Sequence, residues 1–218
     1  MAVLCVSRNP YAKQEETNKK LEFLHGDQDR PISIKEAYTS VRFKKICIMF
    51  MFGTFYGLYM ASSYKIAADE DYIDDEHLTI AGSLGAVCNG GSRLMWATLL
   101  DKYRFNHVYG IIMSIQLAIS CTIYFTRQSP TLYIIWVCIS YLCEGGQFSC
   151  FPVVIANVFG LTNGGVITTL AFLAVPISSI SSFVLVLFEA PPLYIYIVGA
   201  VLTFANIILL YTFDDSEW

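Results

Sequence analysis

The sequence predicts an all-α membrane protein built as a six-transmembrane-helix bundle. Hydrophobic residues make up 55% of the 218 positions and charged residues only 15%. The mean hydropathy is +0.52, well beyond the usual mix of a soluble domain. Uncharged runs occupy 46–64, 108–126, 145–188 and 190–213, while 78–100 is interrupted only by Arg93 and 131–154 only by Glu144. Roughly 20 apolar residues cross a ~30 Å hydrocarbon core, and none of the runs alternates polar with apolar as a barrel strand would.

In chain order, these signals predict a polar N-terminal tail over 1–43, a transmembrane domain over 44–213 and an acidic C-terminal tail over 214–218. The helices fall at 44–66, 77–101, 107–126, 131–154, 162–188 and 191–213. Before the first, the stretch 30–37 is an extended entry to a short amphipathic helix, with Ser33 and Glu36 spaced as a capping box. The loop 67–76 is acidic, carrying Asp69, Glu70, Asp71, Asp74, Asp75 and Glu76. Gly90, Gly91, Gly145, Gly146, Gly164 and Gly165 permit close helix approach, and Pro152 and Pro176 are places where a helix can kink or break. Tyr56, Tyr59, Tyr124, Tyr133, Trp136, Tyr194 and Tyr196 are candidates for interfacial belts or for packing.

An even number of spans puts both termini on one side, and basic residues choose it. Nine lie between Arg8 and Lys45, with Lys102 and Arg104 beside them, against Lys65 and Arg127 opposite. Both termini are therefore expected on the cytosolic or matrix side, with the acidic loop outside. The net charge of -4 gives no footprint for nucleic acid. Six of the seven cysteines lie in apolar runs without a metal-ligand spacing, and no phosphate loop, nucleophile elbow or His-Glu-x-x-His motif occurs. No enzyme, metal or cofactor is expected.

Two segments are specific enough to carry a likeness, 89–102 (Asn-Gly-Gly-Ser-Arg-Leu-Met-Trp-Ala-Thr-Leu-Leu-Asp-Lys) and 144–152 (Glu-Gly-Gly-Gln-Phe-Ser-Cys-Phe-Pro), followed by Phe159-Gly160. Together they resemble the major facilitator superfamily, nearest its oxalate/formate antiporter and monocarboxylate-type branches. The resemblance covers about 31–213 and implies the C-terminal six-helix half of such a transporter. It further implies that Asp101 and Lys102 form a conformational latch at the inner membrane edge, although Ala97 and Arg104 stand where the family usually has glycine. It also implies that Arg93 is a ligand for a substrate carboxylate, and if the chain is a transporter Arg93 and Glu144 are its candidate substrate-binding residues.

Arg93 lies eight residues before Asp101, about 12 Å from the inner surface at 1.5 Å per residue, and Glu144 falls at nearly the same depth. Such charges face a bundle interior or a cavity. Two readings stay open: Arg93 binds a small organic anion through bidentate guanidinium pairing, or Arg93 and Glu144 form a structural ion pair. The 162–188 helix has no Lys or Arg to serve as the second cation of an anion site.

A half without its counterpart favours a transporter-derived accessory subunit of a larger membrane complex, such as a respiratory complex of the mitochondrial inner membrane, with lipid and other membrane subunits as partners. The alternative is a half-size carrier of monocarboxylate- or oxalate-like anions acting as a dimer, or a truncated form of a full transporter.

Overall fold

The computed structural model describes residues 33–213. The predicted polar tail up to residue 32 and the acidic end 214–218 lie outside the described residues. The described residues are all-helical in their regular structure: α1 Ile34–Thr39, α2 Val41–Ala67, α3 Asp75–Leu100, α4 Phe105–Thr126, α5 Pro130–Phe159, α6 Leu161–Ala171, α7 Ala174–Leu187 and α8 Pro192–Tyr211. Among the described residues, five spans are long and apolar enough to cross a membrane: α2, α4, α5, the α6–α7 pair over Thr162–Leu187, and α8. This is a multi-pass membrane protein. The sixth expected span, α3, is 26 residues long, but Asp75, Glu76, His77, Asn89, Ser92 and Arg93 make it more polar than the others.

Local chemistry explains where helices start and stop. The expected capping box does not form, since the Ser33 side chain makes no cap bond. Ser40 instead accepts from the Phe43 amide at 3.1 Å and starts α2 three residues before the predicted boundary, a type of cap that contributes about 1 kcal/mol. Asp74 caps α3 in the same way through the His77 amide at 2.9 Å. Gly160 joins α5 to α6 at φ +81°, a backbone region that favours glycine.

The two intrahelical prolines behave differently. Pro176 cannot donate to the Phe172 carbonyl four residues earlier. That carbonyl is taken instead by the Val175 amide at 3.0 Å, and the predicted single helix over 162–188 is split between α6 and α7. Pro152 stands inside α5, which continues past it to Phe159 rather than stopping at 154.

α2 and α5 are the central helices. α3 packs chiefly on α5, α4 on α5 and α8, and α2 on α5, α7 and α8. One apolar cluster gathers Phe43, Phe50, Trp96, Phe105, Tyr109 and Phe151. A second gathers Tyr56, Tyr59, Leu78, Ile123, Tyr133 and Tyr196. These four tyrosines are therefore core residues rather than belt residues, whereas Tyr194 is exposed.

Between the clusters lies a buried polar layer. Gln147 of α5 donates to Gln116 of α4 at 2.6 Å, and Gln116 donates to the Gly53 carbonyl at 2.9 Å and the Thr203 hydroxyl at 3.0 Å. Asn206 of α8 donates to the Met49 carbonyl at 2.9 Å and to the Tyr109 hydroxyl at 2.8 Å. Hydrogen bonds of this kind let polar side chains sit at mid-bundle, where unpaired groups are costly.

Candidate anion site on α3 and α5

Close approach of α3 and α5 sets the geometry. A side chain on Gly145 would collide with the Asn89 carbonyl and the Ser92 hydroxyl, and one on Gly146 would stand 2.7 Å from the Trp96 ring. Trp96 secures the crossing by donating its indole N–H to the Leu142 carbonyl at 3.1 Å. Residue 57 is also glycine, and a Cβ there would lie 3.0 Å from that of Glu144. The missing side chain at Gly57 on α2 thus leaves room for the glutamate.

Glu144 is buried, at 5% exposure, and accepts a hydrogen bond from the Asn89 amide at 3.4 Å. Arg93 is one turn beyond Asn89 and is exposed. Its guanidinium lies 5.4 Å from the centroid of the Phe148 ring, within the range of a cation–π contact. Phe148 continues into an aromatic wall with Phe50 and Phe172, at centroid distances of 5.8 and 6.0 Å. The ion pairs among the described residues do not include Arg93 with Glu144. The Asn89 amide bonds the carboxylate and the guanidinium lies over the ring, while the opposite charges of Arg93 and Glu144 still attract each other. α3 and α5 therefore bring together an accessible cation, an aromatic face and a buried carboxylate held by an amide.

Asp101 and Lys102 are not part of this cluster. They stand exposed on the turn between α3 and α4, lining a cleft of about 250 Å³ with Tyr103, Phe105 and Asn157. Among the described residues, no group of three or more His, Cys, Asp or Glu side chains is arranged to hold a metal ion. Sequence reasoning passed over Asn89, Phe148 and the Gln116–Gln147–Asn206 layer. The available signal was the placement of Gln116 and Asn206, amides in the middle of otherwise apolar runs.

No protein-family model matches the chain. Among curated proteins it is similar to apicoplast pyruvate carrier 1 of Toxoplasma gondii, with 27% identity over 138 residues, covering 59% of this chain and 25% of that carrier. It is also similar to apicoplast pyruvate carrier 2 of the same organism, with 34% identity over 98 residues, covering 44% of this chain and 15% of that carrier. The matched stretch thus spans at most a quarter of either relative's length. These findings correct the assignment to the major facilitator superfamily. Its apparent motifs, glycine pairs and an Asp-Lys at a helix end, serve close packing and helix termination in membrane bundles generally, and so do not identify a family. The respiratory accessory subunit likewise finds no support, since the relatives carry the names of carriers, neither of enzymes nor of respiratory subunits.

Proposed function

We propose that this chain is part of a membrane carrier for small monocarboxylates of the pyruvate type, with Arg93 as the ligand for the substrate carboxylate. One observation carries the reading: a guanidinium about 12 Å inside the end of α3 is exposed over the Phe148 ring and attracts the Glu144 carboxylate without closing a direct ion pair with it. Hydrocarbon is a costly environment for that charge, which calls for a water-lined cavity or an anionic guest. A carboxylate fits the planar fork of arginine in bidentate fashion. The Phe148–Phe172 wall offers the remainder of a small organic acid an apolar surface, and Glu144 contributes by fixing Asn89 on the turn before Arg93. The names of the two relatives favour a carrier over an accessory subunit.

In this reading α3 is the sixth span, polar because it lines the substrate path. Six spans place both termini on one face, with Asp101 and Lys102 in the turn that ends α3 on that face. The exposed α3 face meets a second membrane unit, either a further copy or a partner subunit, which completes the cavity.

The test is uptake of labelled pyruvate by proteoliposomes containing the full chain, alone and with its co-purifying partners. Losing one charge-assisted bidentate contact, worth about 1.5–3 kcal/mol, should lower uptake of Arg93→Gln roughly 10- to 100-fold, with Arg93→Lys intermediate. Uptake by Arg93→Gln equal to that of the unchanged chain, with equal insertion, would overturn the assignment.

A further inference from the structure

At the end of the bundle where α2 begins, a groove of about 650 Å³ opens between α2 and the α6–α7 pair. Phe43, Cys47 and Met51 line one wall and Leu170, Leu173, Ala174 and Ile177 the other. Both sets follow the i, i+3, i+4 spacing of one helix face, so the two apolar stripes face each other. Tyr38 on α1 and Lys44 on α2 form the mouth, and both are exposed.

The neighbouring lysine is used differently: Lys45 donates to the Thr212 carbonyl at the end of α8, at 2.7 Å. Lys44 is directed to the groove. The α1–α2 elbow around it carries exposed Tyr38 and Val41 alongside exposed Lys35 and Arg42, with Glu36 as the acidic residue among them. Apolar and aromatic groups interleaved with basic ones mark a segment at the membrane–water boundary. From Lys44 to Met51 the groove runs about 10 Å along α2, from a charged mouth into apolar lining.

We propose that this groove is a binding site for one anionic phospholipid, its phosphate on Lys44 and one acyl chain between α2 and α7. Charge complementarity selects the ligand, since a basic residue at the head of an apolar trough at headgroup depth matches an anionic lipid better than a zwitterionic one. The site is separate from the Arg93 cluster, so its test does not depend on the carrier assignment.

Native mass spectrometry of the full chain in mild detergent, with added dioleoyl phosphatidylglycerol or dioleoyl phosphatidylcholine, tests it. The phosphatidylglycerol adduct should persist at several-fold lower lipid concentration than the phosphatidylcholine adduct. Lys44→Ala should bring the two lipids level, Lys44→Arg should preserve the preference, and Ala174→Trp should weaken both by filling the trough. Circular dichroism of each variant checks that the bundle still forms, and millimolar glycerol phosphate should not displace the lipid. Equal retention of the two lipids by the unchanged chain would overturn the proposal, as would variants that bind as before. Cross-linking of Ile48→Cys or Ile177→Cys to a second copy, showing the groove covered by protein, would also overturn it.

Discussion

The Asn89 amide on α3 donates to the Glu144 carboxylate on α5 at 3.4 Å, on the helix surface where Gly145 brings the two backbones together. Packing and chemistry therefore depend on the same crossing. Gly145→Ala should push α3 off α5 and cost about 1–3 kcal/mol by overpacking. Gly90→Ala, where an added Cβ meets nothing within 4 Å, should be neutral. Thermal unfolding in detergent of the two variants side by side checks the contrast, and equal melting points would place the crossing elsewhere.

The polar layer makes a separate prediction. Gln116→Leu removes bonds to Gly53, Thr203 and Gln147 at once. Interhelical hydrogen bonds in membrane proteins contribute about 0.6 kcal/mol each on average and up to ~1.7. The variant should therefore lose about 2–4 kcal/mol, read as a lower midpoint in a denaturant series. Because none of these bonds is made to Arg93, Asn89, Glu144 or Phe148, pyruvate uptake per folded molecule should be retained.

Cys88 on α3 and Cys138 on α5 are free thiols that neighbour each other where the two helices pack. A short bifunctional thiol reagent should link them within one chain, leaving the exposed Cys121 singly modified. Peptide mapping by mass spectrometry would locate the bridge, and Cys88→Ser or Cys138→Ser should abolish it.

The Asp74 cap is sensitive to acid. The His77 backbone and side-chain hydrogen bonds hold its carboxyl below the ordinary value of 3.8. A lowered value in the folded state means the cap contributes fully above the ordinary value and is lost as pH falls through the lowered one. Hydrogen exchange of the His77 amide should therefore show weakened protection only at the acid end. Asp74→Asn, which keeps an acceptor oxygen, should remove that pH dependence while preserving the cap.

The apolar helices could be read in advance because uncharged runs of about 20 residues have few alternatives in lipid. The break between α6 and α7 was less legible. Pro152 and Pro176 have the same local chemistry, and only the tertiary setting decides that α5 continues through the first while the second divides a span. Arg93 and Glu144 were found as charges in apolar sequence, but their relation was not. A guanidinium can pair with a carboxylate or lie on a ring, and the positions of Asn89 and Phe148 around it come only from the tertiary packing of α3 on α5. The family assignment failed for a related reason: short motifs of small residues report how closely helices approach and carry little about ancestry.

Position 152 has no amide hydrogen to offer the Phe148 carbonyl, the residue whose ring lies beneath Arg93. The ladder of α5 therefore lacks a rung directly under the cation. Helices bend most easily at such a gap, so the hinge of α5, if it is used, lies one turn from the ring that Arg93 covers.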